Sequence, residues 1–153
     1  KGRKHILYII RELLNIEPQS RRTDVKVPLE FLTNAIKKRC TAFMLSDFIY
    51  PGDYRNAMTI ANRKHDLVAI QVYDRRLAEL PNIGLIKVRD AESDEELYLD
   101  TSSRKVREAQ RTWWQAQSEA LKDTLQRSRV DWVSVRTDQD YVKALMALFA
   151  QRS

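Results

Sequence analysis

Asp66 to Asp74 reads DLVAIQVYD, a nearly unbroken apolar run with an aspartate at each end. Strands exposed on one side alternate apolar and polar residues, while strands covered on both faces lose that alternation. The run therefore predicts a strand sandwiched between layers, and a sandwiched strand needs neighbours. Two stretches supply them. AFMLSDF (Ala42–Phe48) runs apolar up to Ser46 and Asp47, and then Pro51-Gly52-Asp53 breaks the pattern. DWVSVRTD (Asp131–Asp138) is the last strand.

Helical spacing fills the intervals. Ile6, Ile9, Ile10, Leu13 and Leu14 mark one face of a first helix, closed by Glu17-Pro18-Gln19-Ser20. A second follows Thr23-Asp24, with Val25, Leu29, Leu32 and Ile36 on one side and Lys37-Lys38-Arg39 in its last turn. Pro28 restricts where that helix begins or bends. Asp53 is placed to cap a third helix bearing Tyr54, Ala57, Met58 and Ala61. GLIKVRD and EELYLD form a short hairpin across AESD. Ser102 or Ser103 caps a long helix to about Arg129, with Val106, Ala109, Trp113, Ala116 and Ala120 as its inward stripe. Thr137 and Asp140 spell a capping box for a final helix carrying Tyr141, Leu145, Leu148 and Phe149. The alternation predicts an α/β fold with three parallel strands, a β-hairpin and flanking helices.

With 153 residues, 43% hydrophobic and 31% charged, the chain has the size and composition of one globular domain. No apolar run approaches the ~20 residues of a membrane span, and no signal peptide is visible. The single Cys40 excludes an internal disulfide and suits a reducing compartment, so the expected location is cytoplasmic. The net charge of +6 is concentrated: residues 1–40 hold 10 Lys/Arg against 4 Asp/Glu, and the remainder holds 17 of each. That segment is either a solvated face or a contact surface for something acidic. Nucleic acid is the weakest of the acidic partners, since the three Trp are not interleaved with basic clusters as a stacking platform requires.

All three strands finish in aspartate: Asp47, Asp74 and Asp138. In open α/β sheets ligands sit beyond the carboxyl ends of the strands, where strand order reverses. Oxygen-only side chains gathered there suit Mg²⁺ or Mn²⁺. For Asp74 and Asp138 the simpler role is capping the next helix. Asp47 has no such duty, because Asp53 is better placed for it. Asp138-Gln139-Asp140 also spells the D-x-D of metal-dependent nucleic-acid enzymes, so a phosphoester hydrolase or nuclease using Asp47 with Asp138 or Asp140 is the alternative reading. Glu92–Glu96 (ESDEE) reads as a solvated turn. Glycine occurs only at positions 2, 52 and 84, too sparse for a phosphate-cradling loop. His65 reads as a structural hydrogen-bonder, and Cys40 as a small buried hydrophobe with no activating partner in sequence.

HILYIIRELLNIEPQSRRTDVKVPLEFL, KKRCTAFMLSDF, NRKHDLVAIQVYD, AELPNIGLIKVRDAES and LYLDTSSRKVR resemble, in order, the carboxyl-terminal part of the bacterial domain of unknown function 58 family. The resemblance covers nearly the whole chain. It implies a von Willebrand factor A-like, Rossmann-like three-layer sandwich, of which residues 1–153 are the carboxyl-terminal part of a single domain. It further implies a non-enzymatic protein-interaction module working with a MoxR-type AAA+ ATPase in assembly or maturation. In such domains a metal-ion-dependent adhesion site lies at the strand ends. The resemblance places Thr23 as a hydroxyl ligand and Asp47 as a carboxylate ligand, usually through water, with Ser46 steadying the loop.

The family pattern also has an Asp-x-Ser-x-Ser motif well before Thr23. Asp100-Thr101-Ser102-Ser103 has the wrong order and follows the hairpin, and Arg75 and Leu77 stand where the family tends to have Pro and Glu. The chain therefore reads as a truncated domain with an incomplete site and no tightly held metal. It also reads as having 42–48 left as an apolar edge. Burying even ~300 Å² of that edge is worth roughly 7 kcal/mol before association costs, so self-association through it is expected.

Overall fold

In the computed structural model, which describes residues 2–17, 23–90 and 94–152, the run Asp66–Tyr73 is the middle strand of a three-stranded parallel sheet. In chain order the elements are α1 (Arg3–Asn15), α2 (Lys26–Ala35), β1 (Thr41–Ser46), α3 (Arg55–Lys64), β2 (Asp66–Tyr73), α4 (Arg75–Ala78), β3 (Leu85–Arg89), β4 (Glu96–Asp100), α5 (Arg104–Arg127), β5 (Asp131–Arg136) and α6 (Tyr141–Gln151). The sheet order is β1-β2-β5, with Thr41 opposite Asp66 and Val68 opposite Asp131. β3 and β4 pair separately as an antiparallel hairpin. The architecture is thus mixed α/β, as the alternation of patterns predicts.

Side chains alternate faces along a strand, so the register assigns each layer. Ala42, Met44, Leu67, Ala69 and Trp132 share one face and pack with Val25 and Leu29 of the α2 segment, Met58 and Ala61 of α3, and Leu121 and Leu125 of α5. Phe43, Leu45, Val68, Ile70 and Val133 point to the other face. There α6 packs on β5, and Phe149 meets Phe43 edge-on at 6.0 Å between ring centres. β2 is buried on both faces from Leu67 to Ile70. β1 alternates: Phe43 meets Phe149 of α6, yet Phe43 and Leu45 remain 48% and 64% exposed.

Several local expectations shift. The inward stripe of α5 lies one position later than expected: Trp114, Leu121 and Leu125 are buried, whereas Ala109, Ala116 and Ala120 face solvent and Trp113 is exposed. Burial follows the large side chains, since small alanines gain little from it. Ser103 occupies the N-cap position of α5 without a side-chain cap, while Ser102 Oγ donates to Asp100. The Thr137–Asp140 capping box does not form. The Thr137 amide donates to Tyr73 O, which extends the sheet, and Asp140 itself caps α6 by accepting from Val142 N. Leu148 is the buried residue of α6, while Tyr141 is exposed and Phe149 is only partly covered by its contact with Phe43.

Lys37, Lys38 and Arg39 lie beyond α2, which ends at Ala35, although Lys37 Nζ still reaches Asn34 O. Pro28 sits in the first turn of α2, where its missing N–H costs nothing. Asp53 accepts from Arg55 N at the start of α3. α1 forms as the spacing predicts, yet none of its apolar side chains is buried. The closing residues Pro18 to Ser20, and Glu92 and Ser93 of the acidic turn, lie outside the described residues. No helix among the described residues is long and apolar enough to cross a membrane.

The amino-terminal ends of β2 and β5 are clamped by one cation. Arg152 donates to Asp66 and Asp131, and this pairing, ahead of a Thr41 hydroxyl bond, holds the Asp66 carboxyl below its usual range. A depressed carboxylate contributes stability that is present above its unfolded value and is lost as pH falls through the folded value. Arg152→Ala is therefore expected to cost on the order of 1 kcal/mol at neutral pH, allowing for the exposure of both carboxylates. The difference from wild type should shrink as pH drops below about 4, which thermal unfolding of both proteins across pH reads directly.

Candidate functional site

β1 carries its last side chains into a tightly bonded loop. Ser46 Oγ accepts from Phe48 N (3.0 Å), and Asp47 Oδ1 accepts from Ile49 N (3.1 Å). Phe48 adopts φ 57, the left-handed region that a bulky side chain rarely enters. The conformation is held because the Phe48 ring is buried against Tyr54, at 6.4 Å between centres. The ring turns inward and Asp47 stays exposed at the surface. Asp47 thus has a backbone-bonding role of its own, contrary to the expectation that Asp53 leaves it none.

A polar row supports the loop from below. Ser46, Gln71 and Ser134 are opposite one another across the three strands. Ser134 Oγ donates to Gln71 Oε1 (2.6 Å), and Gln71 Nε2 donates to Asp47 O (3.3 Å). Gln71 is buried, so both of its amide groups are committed to this relay. Its signal in the sequence is a glutamine interrupting DLVAIQVYD, matched by Ser134 in DWVSVRTD.

The segment holding Thr23 arrives at the same end of β1. Val25 is buried in the core, Asp24 Oδ1 accepts from Lys26 N to start α2, and the Tyr50 hydroxyl bonds the Asp24 carboxylate. Burial first, then the charge of Asp24, holds Tyr50 above the usual phenol range. Tyr54 beneath it is pushed up to about 12, by burial and then by Asp53. Gly52 lies against the Tyr50 ring so closely that a Cβ there would fall 2.3–2.6 Å from its outer atoms. A side chain at 52 would displace the tyrosine and release Asp24. Exposed Thr23 is therefore anchored, through its neighbour, to the loop that presents Asp47.

The other strand-end carboxylates are occupied elsewhere. Asp74 caps α4 by accepting from Arg76 N (2.7 Å), as expected of it. Asp138 does not cap α6; it pairs with Arg136 Nε (2.5 Å), while Asp140 caps that helix. β5 is two strand spacings, about 10 Å, from β1 and runs two residues past its end, which separates Asp138 from Asp47. A shallow cavity of about 490 Å³ between Asp74, Arg76, Pro81 and Thr137 lies over the β2–β5 ends rather than at Asp47. Among the described residues no group of three His, Cys, Asp or Glu side chains gathers in metal-binding geometry.

One pairing was not legible from residue type. Cys40 Sγ lies 3.4 Å from His65 Nδ1, and His65 Nε2 lies 3.1 Å from Leu32 O. His65 is a hydrogen-bonder, as its position suggests, but Cys40 does have a side-chain partner.

The fold and site define the class first: a parallel α/β layer whose edge strand delivers a hydroxyl-and-carboxylate loop at its carboxyl end. The chain belongs to the family described as "Protein of unknown function DUF58", whose model matches residues 1–120. It is 27% identical over 157 residues to an uncharacterized protein of Mycobacterium tuberculosis (strain H37Rv) and, equally, to one of Mycobacterium bovis, matching 99% of this chain and 48% of each relative. An uncharacterized protein of Mycobacterium avium is 32% identical over 76 residues, covering 50% of this chain and 45% of its own. The chain thus spans about half the length of the curated relatives it matches. No solved structure matches it.

Proposed function

We propose that this chain is the carboxyl-terminal part of a von Willebrand factor A-like, non-enzymatic protein-interaction module that is metal-dependent when intact. The observation that carries the reading is the meeting of two segments at the carboxyl end of β1: Thr23-Asp24, tethered by Tyr50, and Asp47, exposed by the turned-in Phe48. A hydroxyl and a carboxylate are the donors a hard cation such as Mg²⁺ or Mn²⁺ takes. One negative charge leaves such an ion most of its waters, so this chain alone binds it weakly. When bound, the cation offers an open position to a carboxylate of a partner protein.

The three strands follow one another in chain order, β1-β2-β5, and β1 has a free side. The partner suggested by the family resemblance is a MoxR-type AAA+ ATPase acting in assembly or maturation. The same free edge, flanked by Phe43 and Leu45, is in this reading a self-association surface when nothing else pairs with it. Hydrolase chemistry is less well supported: Asp138 and Asp140 are engaged with Arg136 and the α6 amides, and they sit two strands from Asp47.

The test uses the longer protein. With Mg²⁺, it is expected to capture its partner from a defined mixture with the ATPase, and Thr23→Ala is expected to weaken capture at least about tenfold, as losing a direct ligand does. Metal-independent capture would remove the cation from this reading, and phosphoester turnover abolished by Asp47→Ala would replace it with the enzymatic one.

A further inference from the structure

The pairing of Cys40 with His65 lies at the opposite end of the sheet from Asp47. It follows from register: Thr41 is opposite Asp66, so the residues just before them, Cys40 and His65, are brought together, and Asp66 N donates to Cys40 O (2.9 Å). His65 is fully buried. A carbonyl oxygen only accepts, so His65 Nε2 must carry the proton that it gives to Leu32 O. In the neutral ring that leaves Nδ1 as an acceptor, and the group facing it is the Cys40 thiol at 3.4 Å. Cys40 itself is partly exposed. A nucleophile, a base within reach and a third group fixing the base is the arrangement that activates thiols.

Cationic side chains flank the pair. Asp66, beside His65, shares Arg152 with Asp131 and also feels Arg39. Lys64 is tied to Thr33 O, and Lys37, Lys38 and Arg39 lead into Cys40.

We propose that Cys40 is a base-assisted thiol and a site of reversible mixed-disulfide formation with low-molecular-weight disulfides. His65 Nδ1 takes the thiol proton, and the Cys40 sulfur attacks one sulfur of the small disulfide. A new S–S bond to Cys40 forms as the reagent's own S–S bond breaks. Cys40 is oxidised, the departing sulfur is reduced, and it leaves as a thiolate that takes the proton back from the imidazolium. A second small thiol reverses the exchange.

The test compares the same cysteine with and without its base. Folded chain and chain in denaturing urea are each mixed at neutral pH with 4,4′-dithiodipyridine, and the released thiopyridone is followed by absorbance. Base assistance predicts that the folded chain reacts at least about fivefold faster than the unfolded one. In His65→Gln the side-chain amide keeps a donor for Leu32 O, and its oxygen can accept a hydrogen bond but cannot take the thiol proton. Its folded rate should fall to that of the unfolded chain or below. A wild-type rate no faster folded than unfolded overturns the proposal, and so does a folded His65→Gln protein as fast as wild type. Should His65→Gln fail to fold, the wild-type comparison decides alone.

Discussion

Leu125→Ala is expected to lower folding stability by about 3 kcal/mol. Leu125 is fully buried between α5, α3 and the sheet, in the cluster with Met58, Ala61 and Val130. What makes the site unforgiving is that its backbone cannot close on the void. Val130 N bonds Leu125 O, and the turn after α5 is pinned to α3: Asn62 Nδ2 donates to the carbonyls of Ser128 and Arg129, and Thr59 Oγ1 to Ser128 Oγ. A cavity that the structure cannot collapse carries both the lost transfer energy and the lost packing. For a domain of this size the melting temperature should fall by roughly 6–12 °C. Trp113→Ala, on the outward side of the same helix, should shift it much less. Equal losses at 113 and 125 would mean that α5 is rotated from the orientation described.

The second large effect concerns the free edge of β1. Leu45→Lys is expected to raise the dissociation constant of the self-associated form about a hundredfold, the equivalent of about 2.7 kcal/mol. Leu45 is 64% exposed on a parallel strand, a class of strand that is normally covered on both faces. Pairing two copies through this edge brings Leu45 and Phe43 of each against the other. A lysine there would lose that burial and place like charges together, the device by which edge strands are kept from pairing. Sedimentation velocity over a concentration series separates the outcomes. Wild type should shift to larger species with concentration while Leu45→Lys stays a monomer; a wild type that is monomeric throughout would remove the edge from the account.

How much of this could be read beforehand depended on how local each signal was. β2 was legible because DLVAIQVY lacks alternation, and the structure buries it on both sides. Asp74 was legible as a cap because it sits directly before α4 and needs only the next turn. α5 was misphased by one residue: adjacent Trp113 and Trp114 offer two faces, and alanines at 109, 116 and 120 support the wrong one without contributing burial. The T-x-x-D pattern at Thr137 failed because the amide of Thr137 is claimed by Tyr73, a contact between strands that no window on the helix contains.

The site divided in the same way. Asp47 stood out as a carboxylate at a strand end. Gln71 and Ser134 mattered only once three strands were set in register. Cys40 and His65 are 25 positions apart, and only the pairing of Thr41 with Asp66 makes them neighbours. The tether from Tyr50 to Asp24 likewise needs tertiary structure. The missing Asp-x-Ser-x-Ser pattern, by contrast, was legible at once, and it sets the expected weakness of cation binding.

Weak binding can still be located. Mn²⁺ broadens the NMR signals of nuclei close to it even when it occupies its site only part of the time. Titrating it into the ¹⁵N-labelled 153-residue chain should bleach the amides of Thr23, Asp24, Asp47 and Phe48 first, and Asp47→Asn should abolish that selectivity. Broadening that begins instead around Glu95 and Glu96 or at Asp138 and Asp140, with residues 23–24 and 46–48 untouched, would contradict a cation cradle at the end of β1.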